Sequence, residues 1–305
     1  MDRRWLAVNV CVAVWWHIYF GSGLVLGFEK IRKLLEAQSS RADLTRAQNM
    51  EEKVKIGRPT AEHGLEGDVG LWAVELKNVK KTYRTGPIEV PALRGVSLQI
   101  APGEFLAIAG PSGSGKTTLL NIIGGLDRAD TGEVWVERNN LQLLSSGELA
   151  RMRLERLGFV FQAYNLLPVL TAMENAEFTL LLQGIPVEKR RETVQKLFLE
   201  IGLAGLENRR PAELSGGQQQ RVAVARAMVT EPVLILADEP TANLDSATAL
   251  SLLDVMEKLN RDHGTTFVFS THDPQVMERS RRWIRLRDGQ IASDAAHASH
   301  ILPPL

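Results

Sequence analysis

A mostly apolar run, Glu104-Phe-Leu-Ala-Ile-Ala109, leads straight into Gly110-Pro-Ser-Gly-Ser-Gly115-Lys116-Thr117, and no other stretch restricts the fold of this chain as much. A loop of the form GxxxxGK[ST] between a strand and a helix turns its backbone N–H groups toward phosphate, and the positive end of the helix dipole adds to the attraction. Gly110, Gly113 and Gly115 let the loop curl. Lys116 adds a mobile cation for β- and γ-phosphates, and Thr117 a hydroxyl for Mg²⁺. The Thr118 to Gly124 stretch reads as the following helix. The expected cofactors are ATP and Mg²⁺, with nucleotide contacts from Gly110, Pro111, Ser112, Gly113, Ser114, Gly115, Lys116, Thr117 and Thr118.

A second glycine-rich helix start lies downstream. Leu214-Ser-Gly-Gly-Gln218 precedes Gln219-Gln-Arg-Val-Ala-Val-Ala-Arg226, whose apolar spacing is helical and makes Ser215 the expected N-cap. Ser215, Gly216, Gly217 and Gln218 would offer backbone donors at a positive dipole end, suited to a second contact with a triphosphate. Val233-Leu-Ile-Leu-Ala-Asp238-Glu239 then reads as a buried parallel strand whose C-terminal end faces a ligand. Asp238 can hold the Mg²⁺ shell. Glu239, one residue on, would point elsewhere, toward a water in line with the γ-phosphate.

With these residues in order, the chain resembles the ATP-binding cassette (ABC) ATPases over about Ala73 to Ile291. Gly110 to Thr117 match the Walker A loop, Leu214 to Gln218 the signature, Leu234 to Asp238 the Walker B strand, and Glu239 the catalytic glutamate. Gln162, after Gly158-Phe-Val-Phe161, matches the Q-loop glutamine that senses Mg²⁺ and the attacking water. Asn243-Leu244-Asp245 matches the D-loop, and His272 the switch histidine that contacts the γ-phosphate. Tyr83, ahead of the first strand pair, sits where the family stacks an aromatic on adenine. The implied fold is α/β: a P-loop ABC ATPase domain with a RecA-like core, an antiparallel β subdomain and an α-helical subdomain. The resemblance further implies that Ser215 reaches the nucleotide of a second ATPase subunit, so that two cassettes, as a homodimer or with a related partner, enclose two ATP molecules.

Within the cassette, Ala73 to Ile100 reads as strands with a turn at Thr85 to Pro87, Glu104 to Ala109 and Gly132 to Glu137 as further strands, and 162 to 209 as mostly helical with breaks at Pro168 and Gly184-Ile-Pro186. Arg279 to Arg287 alternates with Trp283, Ile284 and Leu286 as an edge strand would. Tyr164 to Asn175, Gly124-Gly-Leu-Asp127 and Ala237 to Asp245 resemble the lipoprotein-releasing and macrolide-export branch, although Ala242 stands where that branch commonly has Gly. The implied partner is a membrane permease subunit, with a periplasmic adaptor, at the cytoplasmic face of the inner membrane. Export of a lipoprotein, lipid, peptide or drug is the implied work. The alternative is non-transport mechanotransmission to cell-wall enzymes.

The 305 residues carry zero formal net charge and 44% hydrophobic content, enough for a sizeable core. There is no basic tail or aromatic-basic interleaving, so nucleic acid is not an expected partner. Cys11 is the only cysteine, which excludes disulfides within the chain. Ahead of the cassette, Trp5 to Phe28 has no formal charge and as a helix would span on the order of 36 Å, long enough for a bilayer. Three readings of it stay open: a membrane anchor, a start assigned upstream of true initiation near Met50, and a partner-docking helix. The expected division is 1–28 hydrophobic helix, 29–72 polar helix and linker, 73–291 cassette, 292–305 tail.

Overall fold

The computed structural model describes residues 72–296. The hydrophobic segment 5–28, the linker and Cys11 lie outside them. Among the described residues no helix is long and apolar enough to cross a membrane.

Two sheets organise the described part. Strands β1 (Val74–Thr85) and β2 (Ile88–Ile100) form a long antiparallel hairpin, joined on the far side of β1 by β4 (Thr131–Val136) and the short β5 (Asn139–Asn140), in the order β2-β1-β4-β5. The second sheet has the order β10-β9-β3-β8-β7-β6. Its strands are β3 (Phe105–Ala109), β6 (Leu157–Phe161), β7 (Leu234–Asp238), β8 (Thr266–Thr271), β9 (Arg282–Arg287) and β10 (Gln290–Ala296). All of its pairings are parallel except β9 with β10.

The helices are α1 (Lys116–Ile123), α2 (Ser146–Arg156), α3 (Ala172–Leu182), α4 (Val187–Glu200), α5 (Gly216–Met228), α6 (Ser246–His263) and α7 (Pro274–Arg279). Local chemistry starts most of them. Ser145, Thr171 and Ser215 each close a capping box with Glu148, Glu174 and Gln218, while Asp245 and Asp273 cap α6 and α7.

The central strands are apolar on both faces and feed two cores. Phe105, Ile235, Ala237, Phe267 and Phe269 pack with Phe198, Val222, Leu252 and Met256 from α4, α5 and α6. Leu106, Ile108, Leu234, Leu236 and Val268 pack on the other side with Leu119 and Ile122 of α1 and with Val74, Leu76 and Val96 of the antiparallel sheet. Alternation within each buried strand sends successive residues to opposite cores, as a two-residue period requires.

Four expectations change. The arginine-rich segment is not an edge strand: β9 lies between β3 and β10, with Ile284 and Leu286 buried, and the edges of this sheet are β10 and β6. Arg282 of this strand donates to Asp294 and Glu104. Strand β10 continues past Ile291 as far as Ala296, which pairs with Arg282, so 292–296 belong to the sheet rather than to a tail. Tyr83 lies inside β1, not ahead of the strand pair, opposite Val90 of β2. Between β6 and α3, residues 162–171 form a loop rather than helix.

Candidate functional site

The C-terminal ends of β3, β6, β7 and β8 meet along one edge of the parallel sheet. Phe161 is level with Asp238, Asp238 with Ser270, and Ala109 with Thr271. That is where open α/β sheets bind ligands. The glycine-rich loop follows β3, Gln162 follows β6, Glu239 follows β7 and His272 follows β8, so four segments separated in sequence deliver their polar residues to one place.

The phosphate loop turns directly into α1. Gly115 is the N-cap at φ 102, and no side chain caps the helix, so its first N–H groups face outward as anion donors. A Cβ on Gly115 would sit 2.5 Å from the Ala92 carbonyl oxygen, which leaves room only for glycine. Lys116 is buried, and its Nζ donates to the carbonyls of Gly110 (2.8 Å) and Pro111 (3.2 Å) across the mouth of the same loop. The Ser114 hydroxyl oxygen is buried without a hydrogen-bond partner.

Beside the loop, Thr117 Oγ1 stands 3.2 and 3.3 Å from the two carboxylate oxygens of Asp238, and the Ser270 hydroxyl donates to Asp238 Oδ1. Glu239 takes other partners than Asp238 does. Its backbone is left-handed at φ 47, anchored by its N–H to the Ser270 carbonyl (3.0 Å). Its Oε1 lies 2.9 Å from His272 Nδ1 and 4.0 Å from Lys116 Nζ, while Oε2 is buried without a partner. The pair His272 and Glu239 therefore stands over the phosphate loop's lysine.

Gln162 is exposed at the head of its loop, and its carbonyl accepts from Asn243 Nδ2 at 2.9 Å, which ties the segments after β6 and β7 together. Asp245 caps α6, accepting from the Thr248 N–H and hydroxyl, and these bonds hold its carboxyl below the usual range. The Tyr83 ring is 40% exposed, available to stack, and its hydroxyl donates to Asp127 Oδ2 at 2.8 Å. Lys81 donates to Asp127 Oδ1 at 2.8 Å and stands 5.3 Å from the centre of the Tyr83 ring. Burial, foremost, and the neighbouring Asp127 push the phenol above its ordinary value.

Ser215 to Gln218 are not drawn into this cluster. Ser215 Oγ accepts from the Gln218 N–H at 3.3 Å and Gln218 Oε1 from the Ser215 N–H at 2.9 Å, so these two N–H groups are satisfied within the segment. The space around Gly216 and Gly217 is bounded by Tyr164, Leu244 and Thr248. Two participants went unread in the sequence. Ser270 was visible only as the start of Ser270-Thr-His-Asp273; its level with Asp238 is a pairing across strands. Asp127 stood in Gly124-Gly-Leu-Asp127, but its reach to Tyr83 depends on the turn after α1.

Residues 93–242 match the ABC transporter family model. The lipoprotein-releasing system ATP-binding protein LolD of Anaeromyxobacter dehalogenans is 45% identical over 225 residues, 73% of this chain and 94% of the relative. The macrolide export ATP-binding/permease protein MacB of Syntrophobacter fumaroxidans is 46% identical over 224 residues, but these make up only 31% of its length. The dimeric ABC transporter cassette MJ0796 superposes with a TM-score of 0.69 at 44% identity, covering 73% of this chain and 98% of that one. A second structure of that cassette is a post-hydrolysis dimer bound to ADP and Pi. With a relative this similar covered almost end to end, and with its phosphate loop, paired carboxylates and histidine gathered at one sheet edge, the chain belongs to the ABC transporter family as one of its ATPase cassettes.

Proposed function

We propose that the chain is the ATP-binding and ATP-hydrolysing subunit of a membrane exporter, coupling closure of two cassettes to a separate permease at the cytoplasmic face of the membrane. The observation that carries the catalytic part is the placement of Glu239 between His272 and Lys116 with one carboxylate oxygen left without a partner. ATP would enter with its phosphates against the open N-terminus of α1. Lys116 then exchanges the Gly110 and Pro111 carbonyls for phosphate oxygens. Glu239 Oε2 accepts a proton from the water that attacks the γ-phosphorus, His272 donates to the γ-phosphate, and the bond from that phosphorus to the β–γ bridging oxygen breaks so that ADP leaves.

The residues present fit Mg²⁺. Thr117 and Asp238 offer adjacent hard oxygen donors, few in number, as suits a cation that keeps several of its waters, and Gln162 stands at the next strand end. When bound, Mg²⁺ neutralises charge on the β- and γ-oxygens. Ser270 holds the Asp238 carboxylate in place.

Ser215 to Gln218 are assigned to the nucleotide of a second copy of the cassette, because nothing in their own chain's cluster uses them and the similar cassette MJ0796 is a dimer. Tyr83 takes the adenine, and Asp245 lies at the same dimer face. We assign the cassette to 73–296, and the permease partner and the outward direction rest on the names of the LolD and MacB relatives. The test is Glu239→Gln in the full chain, with membranes solubilised in ATP and Mg²⁺. It should bind ATP, lose hydrolysis by a factor on the order of 100 or more, and co-purify as a closed pair with a permease. Recovery without any membrane protein would remove the exporter assignment and leave the ATPase.

A further inference from the structure

We propose that Gln220 of α5 is a positioning residue for Glu239, acting by holding the strained turn that carries the carboxylate. This rests on the reading of Glu239 as the group that prepares the water. Gln220 is fully buried, and its Nε2 donates to the Pro240 carbonyl at 2.8 Å and to the Phe161 carbonyl at 3.3 Å. Pro240 immediately follows Glu239, and Phe161 immediately precedes Gln162. One amide group therefore ties together the two chain segments that bring the carboxylate and the glutamine to the site.

The turn needs such a tie. Glu239 is left-handed at φ 47, a conformation that a residue with a Cβ adopts at a cost, and the proline after it favours extended backbone instead. Strained residues persist only where their surroundings over-determine them. Here the N–H of Glu239 is held by the Ser270 carbonyl on one side, and the carbonyl of Pro240 by Gln220 on the other. The two clamps come from different elements, β8 and α5.

The orientation of the amide supports a role beyond packing. Two carbonyl oxygens face the same end of the side chain, so that end is the NH₂ group. The opposite atom, Oε1, is then buried without a hydrogen-bond partner. An unmet buried acceptor lowers stability, and an apolar side chain of similar volume would avoid it. Gln220 is a residue suited to donating to these two carbonyls, not to filling the core cheaply. It also lies about one and a half turns from Ser215, so the helix that presents the signature to a second nucleotide is hydrogen-bonded to the catalytic turn of its own chain.

The experiment compares Gln220→Leu and Gln220→Met with Glu239→Gln in the full chain, measuring steady-state hydrolysis, ATP affinity and melting temperature. Loss of the tie should lower kcat on the order of 10- to 100-fold while the ATP dissociation constant stays within about twofold. If Glu239→Gln hydrolyses ATP at the parent rate, the reading of Glu239 itself is wrong. If Glu239→Gln is inactive while both Gln220 variants turn over within about twofold of the parent, the positioning role alone is overturned. Parallel losses of ATP affinity and turnover, or failure of both variants to fold, would make Gln220 structural and equally overturn it.

Discussion

Two glycine-rich helix starts stand among the described residues, and they are closed differently. At α1 the N-cap is Gly115, with no side chain closing the helix, and Lys116 is drawn onto carbonyls of its own loop. At α5 the N-cap is Ser215, and a reciprocal pair of hydrogen bonds with Gln218 closes the first turn. An open start with a buried cation beside it is prepared to take phosphate from within the chain. A closed start, outside the cluster around Asp238 and Glu239, still has first-turn N–H groups and a hydroxyl to offer. The proposal that two cassettes share each nucleotide rests on this difference.

The comparison breaks first at Lys116. Lys116→Ala should cost hydrolysis on the order of 100- to 1,000-fold and weaken ATP binding in a dilute sample, since one preorganised cation at the phosphates is lost. Ser215→Ala should leave dilute ATP binding as it was and slow only the concentration-dependent turnover. Equal losses of dilute binding in the two variants would mean that both starts serve the same nucleotide in one chain.

Next in size is Tyr83. Tyr83→Ala should raise the ATP dissociation constant about tenfold, the scale of one lost base stack, while inhibition by tripolyphosphate is unchanged. A matching shift for tripolyphosphate would place the ring's effect on the loop rather than on the base.

A smaller effect belongs to stability. Ser215→Ala removes an N-cap and should lower stability by about 1 kcal/mol, read from denaturant unfolding. No such effect is expected from changing Ser112, which caps nothing at α1.

The smallest concerns pH. Burial pushes the Asp127 carboxyl up, but Lys81 and the Tyr83 hydroxyl outweigh it and hold it below its ordinary value. A carboxyl lowered on folding stabilises the protein above its unfolded value and loses that contribution as pH falls through the folded one. Asp127→Asn should therefore melt below the parent at neutral pH, and the gap should close on acidification. A gap that persists in acid would assign the loss to packing.

Much of this was legible locally. The strand before Gly110, the loop, the helix after it and the Ser215 cap follow from apolar period, glycine placement and cap chemistry, each decided within a few residues. That two carboxylates close β7 was legible for the same reason, but where Glu239 points was not, because its left-handed backbone at φ 47 takes it out of the strand's alternation. The arginine-rich β9 misled because alternation reports that one side of a strand is wet; it does not report which strands flank it.

By itself, then, the sequence determined that a phosphate-binding loop lies between a buried strand and a helix, that two carboxylates end a second buried strand, and that a capped glycine-rich helix follows its own motif. Only the tertiary structure decided that β3, β6, β7 and β8 end level, that Ser270 holds Asp238, that Asp127 anchors Tyr83, and that Gln220 fastens the turns after β6 and β7. The reason is reach. Periodicity and capping act over a turn or two of chain, whereas strand order and the partner of a buried amide are settled by packing among segments distant in sequence.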